Sequence, residues 1–188
     1  MDPTEVEFMG DKDPISILPL FNLDEVHLIS GSLGPFRAGI PIKVPIWMAF
    51  HLRQLEKCRI VAPEWMDVDN LNEILANEKL SKNLTQMPSN HYMNTAHMLL
   101  NMAANDFSRA EEIRTAVKDI WDMRMAKLRT SIDAFFKSDL LHAQLDNVTS
   151  MELNSIRPLL PHALDQVLRI QMGKENLAQD SQRGESSQ

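Results

Sequence analysis

Among its 188 residues the chain has one cysteine, one tyrosine and six glycines, and each scarcity excludes something. With Cys58 alone, no intrachain disulfide can form, so this is no disulfide-framed secreted scaffold, and a lone thiol suits a reducing compartment. No apolar run approaches the ~20 residues that a membrane-spanning helix needs. The acidic start, Met1-Asp2-Pro3-Thr4-Glu5-Val6-Glu7, lacks the apolar stretch of a secretory signal. A soluble chain of the cytosol or nucleus is expected, with no membrane partner. Positive charge is also short: 19 Lys and Arg stand against 26 Asp and Glu, a net charge of −7. Such a field does not draw in a phosphate backbone, so direct DNA contact is expected to be weak or indirect at most.

Catalytic and ligand-binding patterns are missing as well. Gly173-Lys174 has Leu168 where a phosphate-binding loop needs glycine, and Glu175 where it needs Ser or Thr. Gly31-Ser32-Leu33-Gly34 fails as a nucleophile elbow because Ser30 precedes it, and reads as a turn. His27, His51, His91, His97, His142 and His162 show no zinc spacing. Cys58, between Lys57 and Arg59, has no evident base partner and reads as a packed core thiol. The carboxylate pairs Glu111/Glu112 and Asp119/Asp122 fall on a helix face with Arg114 and Lys118, which reads as solvent-side pairing. No enzyme, cofactor, metal or small-molecule ligand is expected.

What is there is a hydrophobic share of 44% and twelve methionines, enough for a core with adaptable helix contacts. The texture changes near residue 62. Before it come short apolar runs at Val6–Phe8, Ile15–Leu18 and Val26–Ile29, read as strands. The turn Gly31–Phe36 and an extended piece at Gly39–Val44 follow. A helix then opens at Pro45 and runs through Trp47, Met48, Leu52 and Leu55, and Cys58–Val61 reads as a last strand. So few residues make a thin core, so this β-rich unit must lean on the rest of the chain, on a partner, or on both. After Pro63 the pattern is helical. Asp67 caps a helix to about Asn77, and residues 80–88 form a loop. Ser89 caps a helix carrying Tyr92, Ala96, Leu99, Leu100 and Ala103. Ser108 with Glu111, and Thr149 with Glu152, have capping-box spacing. A final helix starts at Pro158 or Pro161 and ends near Gly173. The predicted organisation is α+β and predominantly helical. It has a small β-rich domain over residues 1–62, a helical bundle domain over 63–172 and a disordered polar tail over 173–188.

The longest helical pattern, 109–141, makes a rod of about 50 Å at ~1.5 Å per residue. A lone domain of its kind would be only ~26 Å across. Ile113, Val117, Ile120, Leu128 and Phe135 form its main stripe, widened by Trp121, Met125, Ile132 and Phe136 on one side and by Ala116, Met123 and Ala134 on the other. The apolar arc is on the order of 200°, twice that of an ordinary surface helix. Two readings stay open: the central helix of a self-contained bundle, or a helix shared with a neighbouring subunit. Trp121, Leu128, Ile132, Phe135 and Phe136 are the candidate packing residues. Arg124 lies mid-stripe, where its stem packs and its head snorkels out, or where it pairs with a carboxylate at a subunit boundary. Trp47 and Trp65, each followed by Met, are candidate anchors between the two domains. The basic residues Arg109, Arg114, Lys118, Arg124, Lys127 and Arg129 on this helix leave a helical nucleic-acid-binding module as the alternative reading.

Several segments in order carry a resemblance. They are Leu33-Gly34-Pro35-Phe36, Val44-Pro45-Ile46-Trp47-Met48-Ala49, Lys57-Cys58-Arg59-Ile60 and Pro63-Glu64-Trp65-Met66-Asp67-Val68. Further on come Glu112-Ile113-Arg114-Thr115-Ala116-Val117-Lys118-Asp119-Ile120-Trp121-Asp122, Lys127-Leu128-Arg129-Thr130-Ser131 and Leu145-Asp146-Asn147-Val148-Thr149-Ser150-Met151-Glu152-Leu153. Residues 1–172 resemble the second Psf subunits of the eukaryotic GINS complex, with a looser match over 80–90. The resemblance implies a non-catalytic, structural member of a heterotetramer with three sister GINS subunits. That complex joins the MCM ring and the Cdc45 protein to form the active replicative helicase, for initiation and elongation of DNA replication in the nucleus.

Overall fold

A computed structural model describes residues 2–29, 31–137 and 146–158, together with Arg169. It opens with a helix, α1 (Pro3–Gly10), where the sequence suggests a strand at Val6–Phe8. The start signals explain the difference. Asp2 stands at the N-cap, Pro3 is pre-set for the first turn, and the Glu5 carboxylate reaches back to accept the Asp2 N–H at 3.0 Å. Three residues of apparent alternation are too few to outweigh that local chemistry.

Next comes a three-stranded antiparallel sheet with β1 (Pro14–Pro19) in the middle, between β4 (Ile42–Pro45) and β5 (Cys58–Ile60). Alternation along β1 sends Ile15, Ile17 and Pro19 inward. Ile17 stands opposite both Ile42 and Ile60. A separate hairpin pairs β2 (Val26–Leu28) with β3 (Gly31–Leu33), so Gly31–Leu33 is strand where the sequence reads as turn. The chain does turn at Gly34, where φ is +121° and an added Cβ would meet the Glu25 Cα at 3.0 Å. Only glycine tolerates both constraints. Helix α2 (Ile46–Gln54) follows β4 directly, with Pro45 one place earlier than expected, at the N-cap.

The remaining described elements are helical: a 3₁₀ turn at Glu64–Met66, α3 (Val68–Leu80), α4 (Tyr92–Met102), a second 3₁₀ turn at Ala104–Asp106, α5 (Ala110–Lys137) and α6 (Ser150–Ile156). The fold is therefore a small N-terminal sheet region followed by a helical bundle. At ~1.5 Å per residue the 28 residues of α5 span about 42 Å. The parts of the long-helix pattern beyond Lys137, the final helix and the tail lie outside the described residues.

One apolar core joins the two regions. Ile15, Ile17, Val44, Ile46, Cys58 and Ile60 from the sheet side meet Met66, Leu71, Tyr92, Leu99 and Ile120 from the helices. The β-rich unit thus leans on its own chain, as the thinness of its core requires. A second, smaller cluster covers the later half of α5. There Met125 and Leu128 pack with Ile156 of α6, and Leu84, Val148 and Ile132 close around them. Trp121 touches both clusters, bridging the two halves of the helix.

Candidate functional site

Helices α3, α5 and α6 converge on one buried charge. Arg124 sits mid-way along α5 with 0% of its surface exposed, so the snorkelling geometry is not what the structure shows. A guanidinium carries five N–H donors, and here each finds an acceptor within its own chain. Nε donates to Glu152 Oε1 at 2.6 Å and Nη2 to Glu152 Oε2 at 3.0 Å, a two-pronged fork. Nη1 donates to Glu78 Oε2 at 3.1 Å and to the Thr85 carbonyl at 2.8 Å. The remaining Nη2 proton goes to the Asn147 carbonyl at 2.7 Å. Pairing across a subunit boundary is not needed to satisfy it.

Both carboxylates are completely buried too. Glu152 doubles as the helix cap anticipated from its spacing to Thr149: its Oε2 accepts the Thr149 N–H at 2.9 Å, and its Oε1 also takes the Tyr92 hydroxyl at 3.3 Å. Glu78 is held by Lys127 Nζ at 2.7 Å, by the Thr85 N–H at 3.1 Å and by the Thr85 hydroxyl. Lys127 reaches the Glu78 backbone carbonyl as well. Burial pushes the Glu78 pKa up, but the hydrogen bonds from Lys127 and Thr85 and the Arg124 charge outweigh it, and the group ends below its ordinary 4.5. For Arg124 burial opposes the charge, while Glu152 and Glu78 more than restore it, leaving its pKa raised. Burial, and then the Glu152 charge, hold the Tyr92 phenol well above its usual range. Two cations face two carboxylates, so the cluster is neutral.

This arrangement binds four stretches far apart in sequence: the end of α3, the loop at Thr85, the middle of α5 and the start of α6. Asn147 completes it. Its left-handed φ of +58°, which asparagine tolerates better than most residues, aims its carbonyl at Arg124, and its side-chain amide donates to the Leu84 carbonyl at 3.1 Å. Because Arg124, Glu78 and Glu152 are sealed from solvent, no substrate can reach them. The cluster ties these stretches together. Among the described residues, no group of three or more His, Cys, Asp or Glu side chains could hold a metal ion.

The sheet side is tied on by two further polar contacts. Arg53 of α2 forks onto Asp106, at 2.9 Å through Nε and 3.2 Å through Nη2. Asp106 Oδ2 also accepts the outward-pointing Ile60 N–H of edge strand β5 at 3.1 Å. His91, just before α4, meets Asp13 at 3.0 Å, and Gly10 passes so close that an added Cβ would lie 3.3 Å from the His91 Cβ. Burial raises the Cys58 thiol to about 11; nearby Arg53 pulls it down and Asp106 pushes it up.

The residues singled out in the sequence divide as follows. Leu128 is buried, while Trp121 and Ile132 are half-buried, all against the chain's own core. The backbones of Phe135 and Phe136 continue α5, but their side chains lie outside the described residues. Trp65 packs on the shared core from its 3₁₀ turn. Trp47 does not serve as a buried hinge. It remains 44% exposed because Ile46 and Ala49 occupy the inward face of α2, and it borders an open groove with Lys12, Leu33 and Pro45. Glu78, Thr85, Asn147, Arg53 and Asp106 escaped sequence reasoning. Glu78 lies one residue past the expected end of α3, and no local pattern marks a partner 46 residues away.

Comparison with known proteins agrees along almost the whole chain. Residues 2–61 match the family model described as the PSF2 N-terminal domain, and residues 65–171 match the GINS complex protein helical bundle domain. The chain is 54% identical over 171 residues to the probable DNA replication complex GINS protein PSF2 of Drosophila melanogaster, covering 91% of this chain and 84% of that one. Identity to the DNA replication complex GINS protein PSF2 of Xenopus laevis is 47%, covering 94% and 95% of the two chains. For the Homo sapiens protein of the same name it is 45%, covering 94% and 96%. Matched at both its sheet region and its bundle, the chain belongs to the PSF2 family of GINS proteins.

Proposed function

We propose that this chain is a non-catalytic structural subunit of a GINS heterotetramer that acts in DNA replication in the nucleus. Its partners are three sister subunits, and the complex joins the MCM ring and the Cdc45 protein to form the active replicative helicase. The observation that carries the reading is the match of both regions, in order, to PSF2 and GINS family models across residues 2–171. The sealed Arg124 cluster supports it, because a neutral buried network is suited to rigidity and offers no site for turnover. In this reading the motor is the ATPase ring, and the chain contributes a stiff surface that favours one assembled geometry over others.

The division into a β-rich domain over 1–62, a helical domain over 63–172 and a tail belongs to the same proposal. So does a packing role for Trp121, Ile132, Phe135 and Phe136 that extends to sister subunits. Ile113, Val117, Ile120 and Leu128 of the stripe are already buried within this chain, so a shared surface on α5 would draw on the half-buried Trp121 and Ile132 and on the C-terminal end of the helix. Co-expression with and without the three sister subunits, followed by light scattering, tests the reading. A discrete 1:1:1:1 complex is expected. A monomer that melts cooperatively and ignores the other three would overturn it, and salt-dependent DNA binding by that monomer would point to the nucleic-acid module instead.

A further inference from the structure

Helix α5 has two flanks of opposite character. Toward α3, a groove over Val68, Leu75 and Ala116 is bordered by Glu111, Glu112 and Asp119. Toward α4, a hollow of about 170 Å³ is floored by Ala96, Leu100 and Val117, with Met93 at its wall. Its rim holds His97, Arg114 and Lys118, all exposed, and no carboxylate lines it. Arg114 is only loosely engaged, 3.7 Å from Glu111 and 3.4 Å from the Asn101 side-chain oxygen. Lys118 forms no ion pair among the described residues. On a chain of net charge −7, this is a local reversal of sign above an apolar floor.

Size and charge narrow the occupant. Small-molecule sites run to roughly 300–1,000 Å³, so this hollow is too small for one and fits a single large apolar side chain, as interface anchors do. The stretch Met93–Leu100 covers only about 10 Å of helix, whereas a stable interface of standard size buries roughly 800 Å² per partner. A nucleic acid would meet two cations but gain nothing from the apolar floor. We propose that the α4/α5 hollow receives a short acidic segment of a transient protein partner. One apolar side chain enters over Ala96, Leu100 and Val117, while flanking carboxylates meet Arg114 and Lys118. This goes beyond the subunit reading and does not depend on it.

Methionine-methyl NMR tests it on the full chain, in whatever assembly it is purified. The probe is a twelve-residue peptide with one leucine among aspartates and glutamates. The Met93 methyl is expected to shift to saturation while those of Met48 and Met123 stay still. Reversing both exposed rim charges, Arg114→Glu with Lys118→Glu, is expected to weaken binding at least about tenfold. Replacing the peptide's leucine by serine, or its acids by lysines, is expected to abolish the shift. A silent Met93 at millimolar peptide overturns the proposal, as does equal binding of the lysine peptide. A Met93 shift with protein concentration alone would assign the hollow to a second copy, and a shift with a single-stranded oligonucleotide would assign it to nucleic acid. Shielding of Met93 from a soluble paramagnetic agent in the assembly would show that a subunit fills the hollow, and overturns the proposal as well.

Discussion

Two arginine–carboxylate forks tie distant parts of this chain together, in opposite surroundings. Arg124 and Glu152 are both fully sealed. Arg53 and Asp106 retain 23% and 9% of their side-chain exposure. The chemistry is the same and the consequence is not. Where water remains, it screens the attraction and solvates a broken pair. Where water is excluded, each charge depends on its partner, and losing one strands the others. The helical region therefore carries a buried arginine whose loss strands two carboxylates, in addition to the apolar core that it shares with the sheet region.

The comparison breaks most sharply at Arg124. Arg124→Ala leaves Glu152 without its cation and Glu78 with Lys127 alone, and should cost about 3–5 kcal/mol in urea unfolding. Arg124→Lys should recover only part of that, since an ammonium cannot span both carboxylates and two carbonyls. A loss below ~1 kcal/mol would mean the cluster adds little.

Acid probes the same contrast. Glu78 has a depressed pKa in the folded chain, so its contribution is present above its ordinary 4.5 and disappears as pH falls through the lower folded value. Unfolding midpoints measured from pH 6 downward should drop in that window, and Glu78→Gln should flatten the drop. An unchanged slope in the variant would remove Glu78 from the account.

A smaller effect is expected at the partly exposed fork. Arg53→Ala should cost about 1 kcal/mol or less, because Asp106 keeps the Ile60 N–H and some solvent. A loss equal to that of Arg124→Ala would erase the distinction between the two sites. Smallest in energy is the behaviour of Cys58, whose buried thiol is raised to about 11. It should react with a chromogenic thiol reagent at pH 8 only as fast as the sheet region opens, and rapid labelling of the folded chain would show that region to be loose.

Local signals carried much of this fold. Alternation placed β1, capping spacing placed α6 at Thr149–Glu152, and the apolar stripe placed α5. The family resemblance was readable too, because it resides in ordered segments and not in any contact. The departures have separate causes. The apparent alternation at Val6–Phe8 is overruled by the local cap at Asp2, whereas the face of α2 that turns inward, which leaves Trp47 out, is set by the packing of Ile46 and Ala49.

By itself, the sequence determined most element types, their order and the family, since those depend on side chains within a few residues of one another. Only the tertiary structure decided that Arg124 meets Glu78 and Glu152, that Arg53 meets Asp106, and that α5 carries an acidic flank and a basic one. Those pairings join residues separated by 28 to 53 positions. The path of the chain between them, and not any local preference, sets whether two charges share water or a dry core.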